Sequence, residues 1–151
     1  MCAPRVDSLF FAAVLYTPLA LAQATLGALL DVGASRVPPE VFKSELVQRM
    51  VVGPTSTGGM VEMMYAPNGT VQGSGSMASM KLQSPMNGEW TIDGAGRVCA
   101  AISLSAGPGS NTSGYSLPSR CQYWFKLGEK YFIADSDTDR SAKVLVRTIK
   151  Q

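Results

Sequence analysis

From residue 49 to residue 149 the chain alternates apolar and polar positions with a period of two, and turn-forming residues interrupt the alternation at short intervals. That is the pattern of an antiparallel sandwich or barrel. It predicts strands at 49–53, 60–65, 70–74, 77–83, 89–93, 98–105, 120–127, 130–135 and 143–149. Turn chemistry supports several joins: Pro67-Asn68-Gly69 is a hairpin signal, Asp93-Gly94-Ala95-Gly96 tolerates positive φ, and Leu127-Gly128-Glu129 makes a tight corner. Eight or nine short strands predict a closed or nearly closed barrel, since closure removes exposed edges.

Ahead of the strands, Pro38-Pro39-Glu40 predicts the start of a short amphipathic helix running to about residue 50. Proline and acid suit its first turn, and Phe42, Leu46 and Met50 fall on one stripe at a spacing of four, which reads as core packing. In the later hairpin Trp90 and Ile92 share one strand face, and Val98, Ala100, Ile102 and Leu104 share another. These side chains are expected in the core. Cys99 has the opposite parity and is expected on the outside.

The first 22 residues have a different character. Arg5 supplies a positive start, residues 9–21 are mostly apolar, and Ala20-Leu21-Ala22 is a small-x-small cleavage pattern. The expectation is a signal peptide over 1–22, a mature chain from Gln23, a flexible lead-in over 23–37 and a barrel domain over 38–151. Thr17 and Pro18 interrupt the apolar run, which falls short of the roughly 20 residues a spanning helix needs. No membrane span is expected in the mature chain, and its location is expected to be periplasmic or secreted.

Export changes the cysteine count. Of three cysteines, Cys2 leaves with the signal peptide, and an even count in an oxidising compartment predicts a Cys99–Cys121 disulfide. Two distant cysteines and no histidine cannot supply four zinc ligands, so neither a metal nor a cofactor is expected. The lack of histidine also removes the commonest general base and the Ser-His and Cys-His nucleophiles. The 13 basic and 11 acidic residues give a net charge of +2. They are scattered rather than striped, so no nucleic-acid partner is expected.

Other groupings bear on function. Asp135-Ser136-Asp137-Thr138-Asp139 copies the start of a calcium loop, but Arg140 stands where glycine is needed and Val146 where a bidentate glutamate is needed; a solvated loop is the expectation. Met60, Met63, Met64, Met77, Met80 and Met86 do not converge at strand spacing and are expected to fill a barrel core rather than hold copper. Glu62, Glu89 and Asp93 are the acids that a carboxylate-dependent hydrolase would use, although strand parity makes Glu62 and Glu89 solvent-facing. Asn68-Gly69-Thr70 and Asn111-Thr112-Ser113 match glycosylation sequons. The segment 107–119 has the composition of an exposed loop, which the disulfide would pin.

Three stretches carry a resemblance: Y-A-P-N-G-T-V-Q-G, G-E-W-T-I-D-G-A-G-R-V-C and R-C-Q-Y-W-F-K-L-G-E-K-Y. In this order they resemble a family of small exported Gram-negative bacterial domains of unknown function. The resemblance covers Pro39 to the C-terminus and implies fold, export and disulfide, with no catalytic residue. Asn68 replaces that family's common aspartate, and Trp124-Phe125 stand where smaller or single aromatics are usual. G-A-G-R-V-C-A-A-I-S-L with G-Y-S-L-P-S-R-C is similar to the periplasmic inhibitors of secreted metalloproteases, eight-stranded barrels with one disulfide. There the segment before the barrel enters the protease, which would implicate residues from Gln23 onward.

The expected architecture is thus mainly β, an antiparallel barrel of eight or nine strands of the lipocalin or streptavidin kind with one N-terminal helix. The expected function is non-enzymatic binding in the bacterial envelope, of a small apolar ligand or of an envelope or secreted protein. Tyr115, Tyr123, Trp124, Tyr131 and Phe132 are the candidate ligand-facing residues. Alternatives are a protease inhibitor and a carboxylate-dependent hydrolase.

Overall fold

The computed structural model describes residues 24–76, 83–106 and 114–151. Its elements are α1 (Leu26–Asp31), β1 (Ser35–Arg36), α2 (Pro39–Glu45), β2 (Met50–Pro54), β3 (Met60–Tyr65), β4 (Thr70–Gly75), β5 (Ser84–Ile92), β6 (Val98–Leu104), β7 (Tyr115–Ser116), β8 (Arg120–Leu127), β9 (Lys130–Ala134) and β10 (Leu145–Ile149). Eight strands form an antiparallel ring in the order β8-β9-β10-β2-β3-β4-β5-β6, and β6 closes back onto β8. The expected barrel is therefore present. The short β1 adds to β8 beyond the closing seam, and β7 adds to β6 on the same side as β8.

Closure rests on three residue pairs, Val98 with Gln122, Cys99 with Cys121 and Ala100 with Arg120. Further along β6, Ser103 pairs with Ser116. Residues 117–119 therefore face only 101–102, a local bulge that bends the strand where the barrel shuts. Cys99 and Cys121 form the expected disulfide across the middle pair of this seam.

The interior fills from the α2 end. Pro39 opens α2, and Phe42 and Leu46, four residues apart, are both fully buried. Phe42 sits among Trp124, Tyr65 and Trp90 at centroid distances of 5.1, 5.3 and 5.6 Å. Val51, Val61, Met63, Val71, Met86, Val98, Tyr131 and Ile133 complete this core. The helix is shorter than expected. It ends at Glu45, Gln48 takes a left-handed φ of 65°, and Met50 already belongs to β2. The bend is needed because β2 must turn back to pair with β3.

Residues 24–37, expected as a flexible lead-in, instead form a second layer. Thr25 caps α1 by accepting a hydrogen bond from the Ala28 amide, and Gly33 ends the turn at a φ of 95°. Leu26 and Leu29, on one face of α1, pack with Ala34 on Phe125, Phe132, Ala134 and Val144, on the outer face of the barrel. Residues 1–22, the expected signal peptide, lie outside the described residues, as do 77–82 of the expected strand 77–83. The strand preceding the β5–β6 turn begins earlier than expected, at Ser84 rather than at residue 89.

Gly73 and Gly88 explain how neighbouring strands approach so closely. A Cβ on Gly73 would collide with the Glu62 carbonyl, and one on Gly88 with the Ala101 carbonyl. Both glycines lie on the inward face, so the wall there is thin and lumen space is kept.

Candidate functional site

Strand parity sorts the expected ligand-facing aromatics into different places. Trp124 and Tyr131 point inward and are buried in the barrel core, whereas Phe132 points outward and is buried beneath α1. Tyr123 also faces outward, with the Arg36 guanidinium 4.4 Å from its ring centre. Tyr115 pairs with Leu104 through its backbone, and its side chain lies outside what is described. Among the described residues these rings do not share one surface, because adjacent positions on a strand face opposite ways.

The acids are separated too. Glu62 faces outward and pairs with Lys150, 3.2 Å away, and Glu89 is exposed opposite Thr70. Asp93 accepts from the Arg97 and Ala95 amides and pairs with the Arg97 guanidinium at 2.7 Å. These contacts, the Arg97 amide foremost, hold its carboxyl below the usual range. Asp135, Asp137 and Asp139 are each turned to a separate partner: Arg120 with Gln122, Arg36, and Ser141. Asp93 lies close to the Cys99 and Cys121 sulfurs, but both sulfurs are spent in the disulfide. Met63 and Met86 fill the core as expected, while Met60 lies exposed on the outer face. Met77, Met80 and the sequon at Asn111 fall outside the described residues. Asn68 uses its side-chain oxygen to accept from the Thr70 amide and hydroxyl.

Two surface depressions flank α2. One of about 400 Å³ lies beside Arg36, Pro38, Pro39 and the Gly94–Gly96 turn. The other, about 670 Å³, includes Glu45, Arg49, Lys126, Lys130 and Tyr131. In the second, one Glu45 oxygen accepts from Lys126 Nζ at 2.6 Å and from the Tyr131 hydroxyl at 2.5 Å. Lys126 first, then Tyr131, holds the Glu45 carboxyl below its ordinary value of 4.5. This trio ties the last residue of α2 to the barrel rim.

A lowered carboxyl pKa means that the folded state binds fewer protons than the unfolded one near that value. The stabilisation from Glu45 is therefore present above 4.5 and lost as pH falls through the folded-state value. Because the pair is about one-third exposed, Glu45→Gln is expected to cost no more than about 1 kcal/mol at neutral pH. Urea unfolding should show the gap between the variant and the parent closing in acid; a gap that widens would contradict the assignment.

Coverage of the inner wall is uneven: Val61, Met86 and Ile133 toward the far end are buried, while Ile92 and Ile149 toward the α2 end are only partly so. At the α2 end the inward positions Val51, Tyr65, Trp90, Val98, Trp124 and Tyr131 are buried. Running from there toward the far end, inward-facing Ala100, Ile102 and Leu104 on β6, and Leu145 on β10, are only partly buried. Gly73, Gly75, Ser84 and Gln122 on the same inner face are likewise partly exposed. The β6 positions and Leu145 thus leave part of the apolar inner wall accessible. Parity gave the inward direction of Ile102 and Leu104, but their exposure depends on how far the plug reaches, which no local pattern reveals.

Arg147 is the polar exception. On β10 it lies between Leu145 and Ile149 on the inward face, and it is 4% exposed. Its Nη1 donates to the carbonyls of Pro54 and Val146, both at 2.8 Å, which places the guanidinium on the far-end side of its own backbone. Gly53 makes room: a Cβ there would meet Nη1 at 2.7 Å. Burial lowers the pKa of this guanidinium, yet an arginine remains charged in a protein. Compared with protein-family models, with curated proteins and with solved structures, the chain matches none.

Proposed function

We propose that this protein is an exported, non-enzymatic binding protein of the bacterial envelope that holds a small apolar ligand at the barrel end opposite α2. The observation that carries this reading is a partly open stretch of inner wall: apolar side chains at Ala100, Ile102, Leu104 and Leu145 face inward yet keep solvent exposure. Apolar surface inside a concave wall is favourable to cover, at about 25 cal/mol per Å². Export is supported by the apolar run ending in Ala20-Leu21-Ala22 and by a disulfide, a bond that persists in oxidising compartments. The likeness to exported Gram-negative domains supports the same location.

Ligand binding is favoured over inhibition because the segment that would serve as the inhibitory arm is docked. Leu26 and Leu29 are buried against the barrel, and the Thr25–Lys143 bridge fixes the start of α1. It is favoured over hydrolysis because Glu62, Glu89 and Asp93 are held apart.

Nile red, a neutral apolar dye, tests this reading. The disulfide-intact protein should bind it close to one-to-one, with a blue-shifted, enhanced emission. Ile102→Glu, which puts a carboxylate on the wall, should weaken binding at least about tenfold. Absence of dye binding to the folded parent, or full binding by the variant, would contradict the site.

A further inference from the structure

We propose that Arg147 is the anion anchor of this site, and that the ligand is a monocarboxylate on an apolar chain. The inference rests on the far-end binding reading above and adds the chemistry of the ligand's head. Of the three guanidinium nitrogens only Nη1 is bonded to described residues, and both its acceptors are backbone carbonyls. Nε is fully buried with no hydrogen-bond partner. Leaving a buried charged donor unpaired is costly, and such groups in folded proteins call for a partner.

The edge of the guanidinium that Nε shares with Nη2, unbonded to the described residues, is the edge that grips a carboxylate through two parallel hydrogen bonds. Its surroundings select a single negative charge. Among the described residues no carboxylate forms an ion pair with Arg147, while the other cations of inward parity on β8 are already matched. Arg120 pairs with Asp135 at the far-end rim at 2.9 Å, and Lys126 pairs with Glu45 at the α2 end at 2.6 Å. Among the described residues, one unmatched cation therefore stands on the inner wall. Leu145 lies two residues away on the same face of β10, and Ile102 and Leu104 lie across the lumen on β6. A charged head on Arg147 with an apolar tail toward the far end satisfies both.

Isothermal calorimetry on the disulfide-intact protein should compare dodecanoate, dodecan-1-ol and dodecyl phosphate, each kept monomeric. Dodecanoate should bind about ten- to a hundredfold more tightly than the alcohol, the range for hydrogen bonds to a charged group. Arg147→Met should remove that advantage, so that acid and alcohol bind alike. Arg147→Lys, which keeps the charge but not the fork, should lose part of it. Equal binding of acid and alcohol by the parent would overturn the anchor while leaving the apolar site standing. Tighter binding of the phosphate would overturn the carboxylate assignment. Binding of none would overturn both readings. The comparison among ligands on the parent decides even if a variant fails to fold.

Discussion

Phe42→Ala is expected to lower the unfolding free energy by about 3–5 kcal/mol, the range for deleting a buried phenylalanine. Phe42 is 1% exposed and is the one ring that α2 inserts among Tyr65, Trp90 and Trp124. Truncation removes three ring contacts and leaves a void that the neighbouring rings can fill only in part, since Trp90 is tethered by its indole N–H to the Ala66 carbonyl at 2.9 Å. It also loosens α2, whose other ties include Val41, Leu46 and the part-buried Glu45–Lys126–Tyr131 contact. Urea unfolding followed by tryptophan fluorescence measures the change. A loss below about 1 kcal/mol, the size of a typical surface substitution or less, would show that α2 does not plug the barrel.

The second large effect is at the seam. Replacing Cys99 and Cys121 together by serine should cost roughly 3 kcal/mol, as the chain-entropy model gives for a loop of this size. The loop spans 22 residues, and the seam it crosses has three residue pairs. The bridge therefore does more than shorten the unfolded chain: it holds a seam of only three residue pairs, beside a bulge. The serine variant should unfold at lower urea, and amide exchange should quicken first in β6 and β8. Unchanged stability, or loss of protection confined to β2–β4, would contradict this role.

Much of the barrel was legible because period-two patterning and turn residues agree. Residues 60–65 alternate cleanly, and parity placed Trp90 and Val98 inside and Cys99 outside. The first half of β5 was hidden because Pro85 and Asn87-Gly88 carry turn chemistry. In the fold Pro85 lies exposed, and Gly88 serves a close approach between strands. The helix α1 is six residues long, too short to show a helical period, and its stability comes from the outer face it covers.

The candidate site was legible only in part, and for one physical reason. The aromatics were grouped by nearness in sequence, yet Tyr123 and Trp124, like Tyr131 and Phe132, are consecutive strand residues and must diverge. The same alternation carries the signal that was overlooked: in Leu145-Val146-Arg147-Thr148-Ile149 it places a cation on an apolar inward stripe. What no pattern supplies is that Pro54 and Val146 occupy only one of its nitrogens, which follows from the β10–β2 pairing.

The central claim is that ligand binds inside the barrel at the end away from α2. Mapping amide chemical-shift changes in the labelled protein during titration with dodecan-1-ol tests it most directly. The account predicts the largest changes at Ala100, Ile102, Leu104 and Leu145, with α2 and the Glu45–Lys126–Tyr131 contact undisturbed. Changes centred on that contact and the depression around it, with the far-end wall unmoved, would contradict it.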